Sequence, residues 1–96
     1  MPLPITPTQR ATLRMLRRSH PELAKLAIAV ANVFNTSMIQ NPELARLILE
    51  KTCRRIAGGE PGSHEAMILH LERFGQLNCL SPEQVTEFTV RIRKLG

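Results

Sequence analysis

Four arginines, Arg10, Arg14, Arg17 and Arg18, fall at i, i+4, i+7 and i+8, a spacing that puts their guanidinium groups on one stripe of a helix. Guanidinium is a planar, permanently charged fork that meets a phosphate or carboxylate through two parallel hydrogen bonds, so the chemistry this stripe offers is anion binding. A second basic run, Arg91, Arg93 and Lys94, lies near the end of the chain, where it also suits the negative end of a helix dipole. The plain alternative is a solvated face, since exposed helix positions are commonly Arg.

The other reactive side chains do not group. Asp and Tyr are absent, and His64 and Glu65 are neighbours at a helix start that cannot face a common substrate. No acid–base pair or activated nucleophile emerges, so the chain reads as non-enzymatic with no catalytic residue. A metal site would need Cys53, Cys79, His20, His64 and His70 to converge. His64 and His70 lie on different sides of a helix, and neither cysteine belongs to a CxxC, so no metal and no cofactor are expected. The glycine-rich stretch Gly58-Gly59-Glu60-Pro61-Gly62 lacks the preceding strand and the following Lys and Ser or Thr of a phosphate loop,.

Overall charge agrees with the stripe. The chain carries 13 Lys and Arg, ten of them Arg, against 8 acids, all Glu, for a net charge of +5 and a pI near 10.3. Two partner classes follow: an acidic protein surface, which we favour, and nucleic acid contacted through its phosphates. A small basic regulator, adaptor or inhibitor fits the first, docking through Arg10, Arg14, Arg17 and Arg18 together with Arg91, Arg93 and Lys94. For the second, Val30-Ala31-Asn32-Val33-Phe34-Asn35-Thr36-Ser37 has the look of a helix end and turn in a helix-turn-helix motif. Pro42 would then sit inside the recognition helix, however, and the usual turn glycine is missing,. No aromatic residue interleaves the arginines to stack bases,. A third, structural alternative is a homodimer sealed by Met38, Ile39 or Leu47, apolar groups outside the regular helical stripes, with Leu77 a similar outlier.

Ninety-six residues suffice for one domain with a single core and no staples, and we read 1–96 as that domain. Only 3% of the chain is aromatic while 43% is apolar, so the core must be Leu, Ile, Val, Ala and Met, and strands are not expected. Two cysteines far apart in sequence point to a reduced, cytoplasmic setting,. No apolar run reaches the ~18 residues of a membrane span. Residues 1–21 have the Arg-rich, acid-free composition of a mitochondrial presequence,, but their spacing reads as a folded first helix after an extended lead-in over 1–5.

The elements that must position the arginines are legible from helix-start grammar. Thr6-Pro7-Thr8-Gln9, Ser19-His20-Pro21-Glu22, Asn41-Pro42-Glu43 and Ser81-Pro82-Glu83-Gln84 each combine an oxygen-bearing side chain that can accept from a free backbone N–H, a proline that presets φ, and Glu or Gln in the first turn. Helices are predicted over Pro7 to Arg18, with Ala11, Leu13, Met15 and Leu16 inward; from Pro21 to the break at Asn35-Thr36-Ser37; over Pro42 to Ala57; over Ser63 to Gly75; and from Ser81 onward. In the second, Leu23, Leu26, Ala27, Val30, Val33 and Phe34 keep a helical period, which makes it the central helix. In the third, Leu44, Ala45, Ile48, Leu49, Thr52, Cys53 and Ile56 turn inward, while Glu43, Arg46, Glu50 and Arg54 form an exposed ladder of ion pairs. In the fourth, Met67, Ile68, Leu71 and Phe74 turn inward; in the fifth, Val85, Phe88, Thr89, Ile92 and Leu95 do so. Residues 21–28 and 42–49 look alike, which shared helix-start chemistry explains without invoking a repeat protein. The expected fold is an all-α bundle of five short helices, with a Gly/Pro loop over 58–62.

Overall fold

The computed structural model describes residues 6–36 and 41–95. The described residues form five helices and no strand: α1 (Pro7–Ser19), α2 (Pro21–Thr36), α3 (Pro42–Ala57), α4 (Ser63–Gln76) and α5 (Pro82–Leu95). The predicted lead-in, together with Met38 and Ile39, lies outside them.

Side-chain caps explain three of the starts. Thr6 and Gln9 form a reciprocal box, the Gln9 N–H donating to Thr6 Oγ1 at 3.1 Å and the Thr6 N–H to Gln9 Oε1 at 3.2 Å,. Ser81 and Gln84 repeat it at 3.1 and 2.8 Å. Asn41 Oδ1 accepts from the Leu44 N–H at 3.1 Å. The second predicted cap does not form. Ser19 is the last residue of α1, and its hydroxyl donates back to the Met15 carbonyl at 3.0 Å, so α2 begins on the His20 carbonyl, which accepts from Ala24 N–H at 3.0 Å.

Two helices end in the same way. After α3 the Gly59 N–H donates to Ile56 O and the Glu60 N–H to Arg55 O, both at 3.0 Å, with Gly59 at φ +70°. After α4 the Asn78 N–H donates to Gly75 O at 3.1 Å and the Cys79 N–H to Phe74 O at 2.8 Å, with Asn78 at φ +62°. These are the paired bonds of a Schellman ending, in which the left-handed residue turns the chain so that the last carbonyls find donors. Gly62, at φ +78°, precedes α4, while the buried Ser63 hydroxyl turns back to the Glu60 carbonyl at 2.7 Å.

Helix α2 packs on α1, α3 and α5, and α1 and α3 also touch. The α4–α5 hairpin closes against α3 and α2. The fold measures 32 × 28 × 17 Å, about two helix layers thick at its narrowest. Helix α4 does not bring its backbone against α2 as the central-helix reading expected. It reaches α2 through Phe74, whose ring meets Phe34 edge-on at 5.0 Å and 75°, an arrangement worth about 0.5–1.5 kcal/mol beyond the area it buries.

Leu23, Leu26, Val30 and Phe34 of α2 are buried, as are Met67, Ile68, Leu71 and Phe74 of α4 and Phe88 and Ile92 of α5. Each such large apolar side chain contributes about 1.5–3 kcal/mol through burial. Three inward assignments and one outward assignment are corrected. Ala11, Met15 and Leu44 face solvent, and the inward side of α1 is instead Thr12 and Leu16 with Leu13 partly covered. Arg46, expected in water, is buried. The register of each stripe is right, but its flanks depend on which neighbouring helix covers them.

Gly75 of α4 faces Val85 of α5. A Cβ built there would stand 2.7 Å from Val85 Cγ2, inside any allowed contact, so glycine permits the hairpin to close.

Candidate binding face

The arginine stripe rests on a well-framed helix. The Thr6–Gln9 box sets its start, Pro7 occupies the first turn, and the His20 N–H closes it on the Leu16 carbonyl at 2.7 Å. Leu16 and Thr12 seat it against the bundle. Arg10, Arg14, Arg17 and Arg18 are all exposed, and none of their guanidinium groups has a hydrogen bond or ion pair to any described residue. α1 contains no acid. Like charges three and four residues apart, here 10/14, 14/17 and 14/18, oppose helix formation by about 0.2–0.5 kcal/mol per pair. Nothing within the helix offsets that cost except the dipole at its last turn, which favours Arg17 and Arg18,.

Beside the stripe lie Ala11 and Met15, exposed on the flank between Arg14 and Arg18 and the buried Thr12. Met15 is 38% exposed and its thioether sits 3.6 Å from the Ser19 hydroxyl. Arginine and methionine are enriched where protein partners meet.

The second basic run sits apart. Arg91 is half-buried, Arg93 and Lys94 are exposed, and α5 makes no contact with α1; each packs separately on α2. The two runs share a neighbour without forming a contiguous helix pair.

Thr12 was not singled out from sequence, and it joins α1 to α3. Arg54 Nε donates to Thr12 Oγ1 at 2.6 Å, and the Thr12 hydroxyl points its proton at Glu50 Oε1 at 3.4 Å. The expected direct Glu50–Arg54 ion pair is therefore replaced by a hydroxyl bridge from another helix. The signal was present as a β-branched polar residue four before Leu16, on the same inward row,.

Of the proposed apolar interface, Leu47 is 41% exposed and its neighbour Leu44 is 50% exposed. Leu77 and Leu69 are also exposed. The thiols are held protonated. Burial, reinforced by Glu50, pushes Cys53 up to about 12, and burial raises Cys79, so neither is a nucleophile at neutral pH. Burial, then Arg55 and Arg73, lower His70. His64 Nε2 is buried without a partner among the described residues. Among the described residues no three metal-ligating side chains converge, and no helix is long and apolar enough to cross a membrane. A cavity of about 410 Å³ opens between Val33 and the α4–α5 turn at Gly75, Cys79 and Leu80.

No family model, no curated protein and no solved structure matches this chain.

Proposed function

We propose that this protein is a small, non-enzymatic binding domain that docks the outward face of α1 on an acidic protein surface, acting as a regulator, adaptor or inhibitor. The observation that carries the reading is the arginine stripe itself: four exposed guanidinium groups without a partner among the described residues, on a helix that holds no acid. A protein partner is favoured over nucleic acid by two features. All three phenylalanines, the chain's entire aromatic content, are buried, which leaves no surface ring to stack a base. The first turn of α3, where a helix-turn-helix domain would read DNA, carries Glu43 and exposed Leu44 instead of basic groups,.

The test is fluorescence anisotropy with a labelled oligoglutamate peptide, duplex DNA and single-stranded RNA at low and physiological salt, on the parent chain and on Arg14→Ala/Arg17→Ala. The reading expects peptide binding that persists at physiological salt and is lost in the double variant, with nucleic-acid binding confined to low salt. Duplex or RNA binding that survives physiological salt and falls in the double variant makes nucleic acid the partner instead.

A further inference from the structure

We propose that Arg54 of α3 is a pre-set carboxylate receptor that widens the α1 docking face to a second helix, its guanidinium held in place by Thr12. This rests on the reading of α1 as a face for an acidic protein, and it names a residue and a geometry that the arginine stripe does not contain. Thr12 is 4% exposed, and its hydroxyl holds Arg54 Nε at 2.6 Å. Because guanidinium is rigid and planar, fixing Nε fixes the plane of the whole group. The two terminal amino groups make no hydrogen bond, and Arg54 makes no ion pair, to any described residue. Glu50, one turn before Arg54 on α3, is engaged by the Thr12 hydroxyl, so an incoming carboxylate displaces no pair among the described residues, although the Glu50 charge opposes its approach. Much of the rotamer freedom that a free arginine loses on binding is already lost here.

The position suits the same partner. Along α1, Ala11 and Met15 lie between Thr12, where Arg54 is anchored, and the stripe at Arg14 and Arg18. Cationic groups thus border an exposed apolar row on both sides. The occupant that fits is an acidic segment of a partner protein carrying carboxylates on both flanks of an apolar residue. A carboxylate takes both terminal amino groups of Arg54, which a lysine ammonium cannot reproduce.

Anisotropy with the oligoglutamate peptide at physiological salt separates the possibilities, with thermal melts confirming that each full-length variant is folded. Arg54→Lys keeps the charge and removes the fork. Thr12→Val keeps the shape and removes the anchor, and Thr12→Ser retains the hydroxyl. The expected result is about tenfold weaker binding in Arg54→Lys and in Thr12→Val, with affinity retained in Thr12→Ser. Unchanged affinity in Arg54→Lys or Thr12→Val overturns the inference. If that happens while Arg14→Ala/Arg17→Ala still abolishes binding, Arg54 is only a brace between helices and the α1 reading stands. If the double variant also binds normally, both readings fall.

Discussion

Helix α1 and the α4–α5 hairpin use their surfaces in opposite ways. The hairpin buries Met67, Ile68, Leu71 and Phe74 from one arm and Phe88 and Ile92 from the other. It closes tightly at Gly75 and turns through a left-handed Asn78. α1 fully buries only Thr12 and Leu16, is tied to α3 by a hydroxyl bridge, and turns outward four arginines that have no partner among the described residues. One region spends its residues on packing. The other accepts like-charge repulsion along its length, eased only in its last turn by the helix dipole,.

The largest effects should come from the hairpin. Leu71 is fully buried, and Leu71→Ala should lower stability by about 2–5 kcal/mol, the cost of lost burial plus a cavity, read by urea unfolding. Gly75→Ala should cost about 1–3 kcal/mol through overpacking against Val85; a neutral result would show that the helices can part without penalty. By contrast Arg14→Ala/Arg17→Ala removes two exposed side chains and should leave stability within about 0.5 kcal/mol, so that loss of binding in it cannot be ascribed to unfolding.

The cysteines sharpen the contrast more gently. Cys53, on the buried side of α3, is pushed up to about 12 from an ordinary value of 9.0, so above pH 9 the unfolded chain releases a proton that the folded chain keeps. Stability from this group is complete below pH 9 and is lost as pH rises from 9 towards 12. Urea midpoints should fall across that window, and Cys53→Ala should remove part of the slope. An identical slope in the variant would assign the alkaline loss to other groups.

What the sequence discloses follows from how local each feature is. The Thr6–Gln9 and Ser81–Gln84 boxes involve residues three apart, so their chemistry is complete in the sequence, and both form. Ser19 shows the limit even there: a hydroxyl that can cap the next helix can equally bond back into its own, and it does so here. The apolar period of α2 places Leu23, Leu26, Val30 and Phe34 correctly because neighbours on three sides cover that helix. Ala11, Met15, Leu44 and Arg46 were misplaced because each lies at the edge of its stripe, where coverage depends on a helix distant in sequence. The arginine stripe was legible in full, since helical spacing alone aligns it. The Thr12–Arg54 link was not, because it joins residues 42 apart.

The most direct test of the account is an NMR titration of the ¹⁵N-labelled protein with oligoglutamate peptide at physiological salt, following every backbone amide. The account predicts shifts concentrated in α1 and around Arg54 of α3, with α4 and α5 unmoved. Shifts centred on Arg91, Arg93 and Lys94, or no saturable shift anywhere, would contradict it.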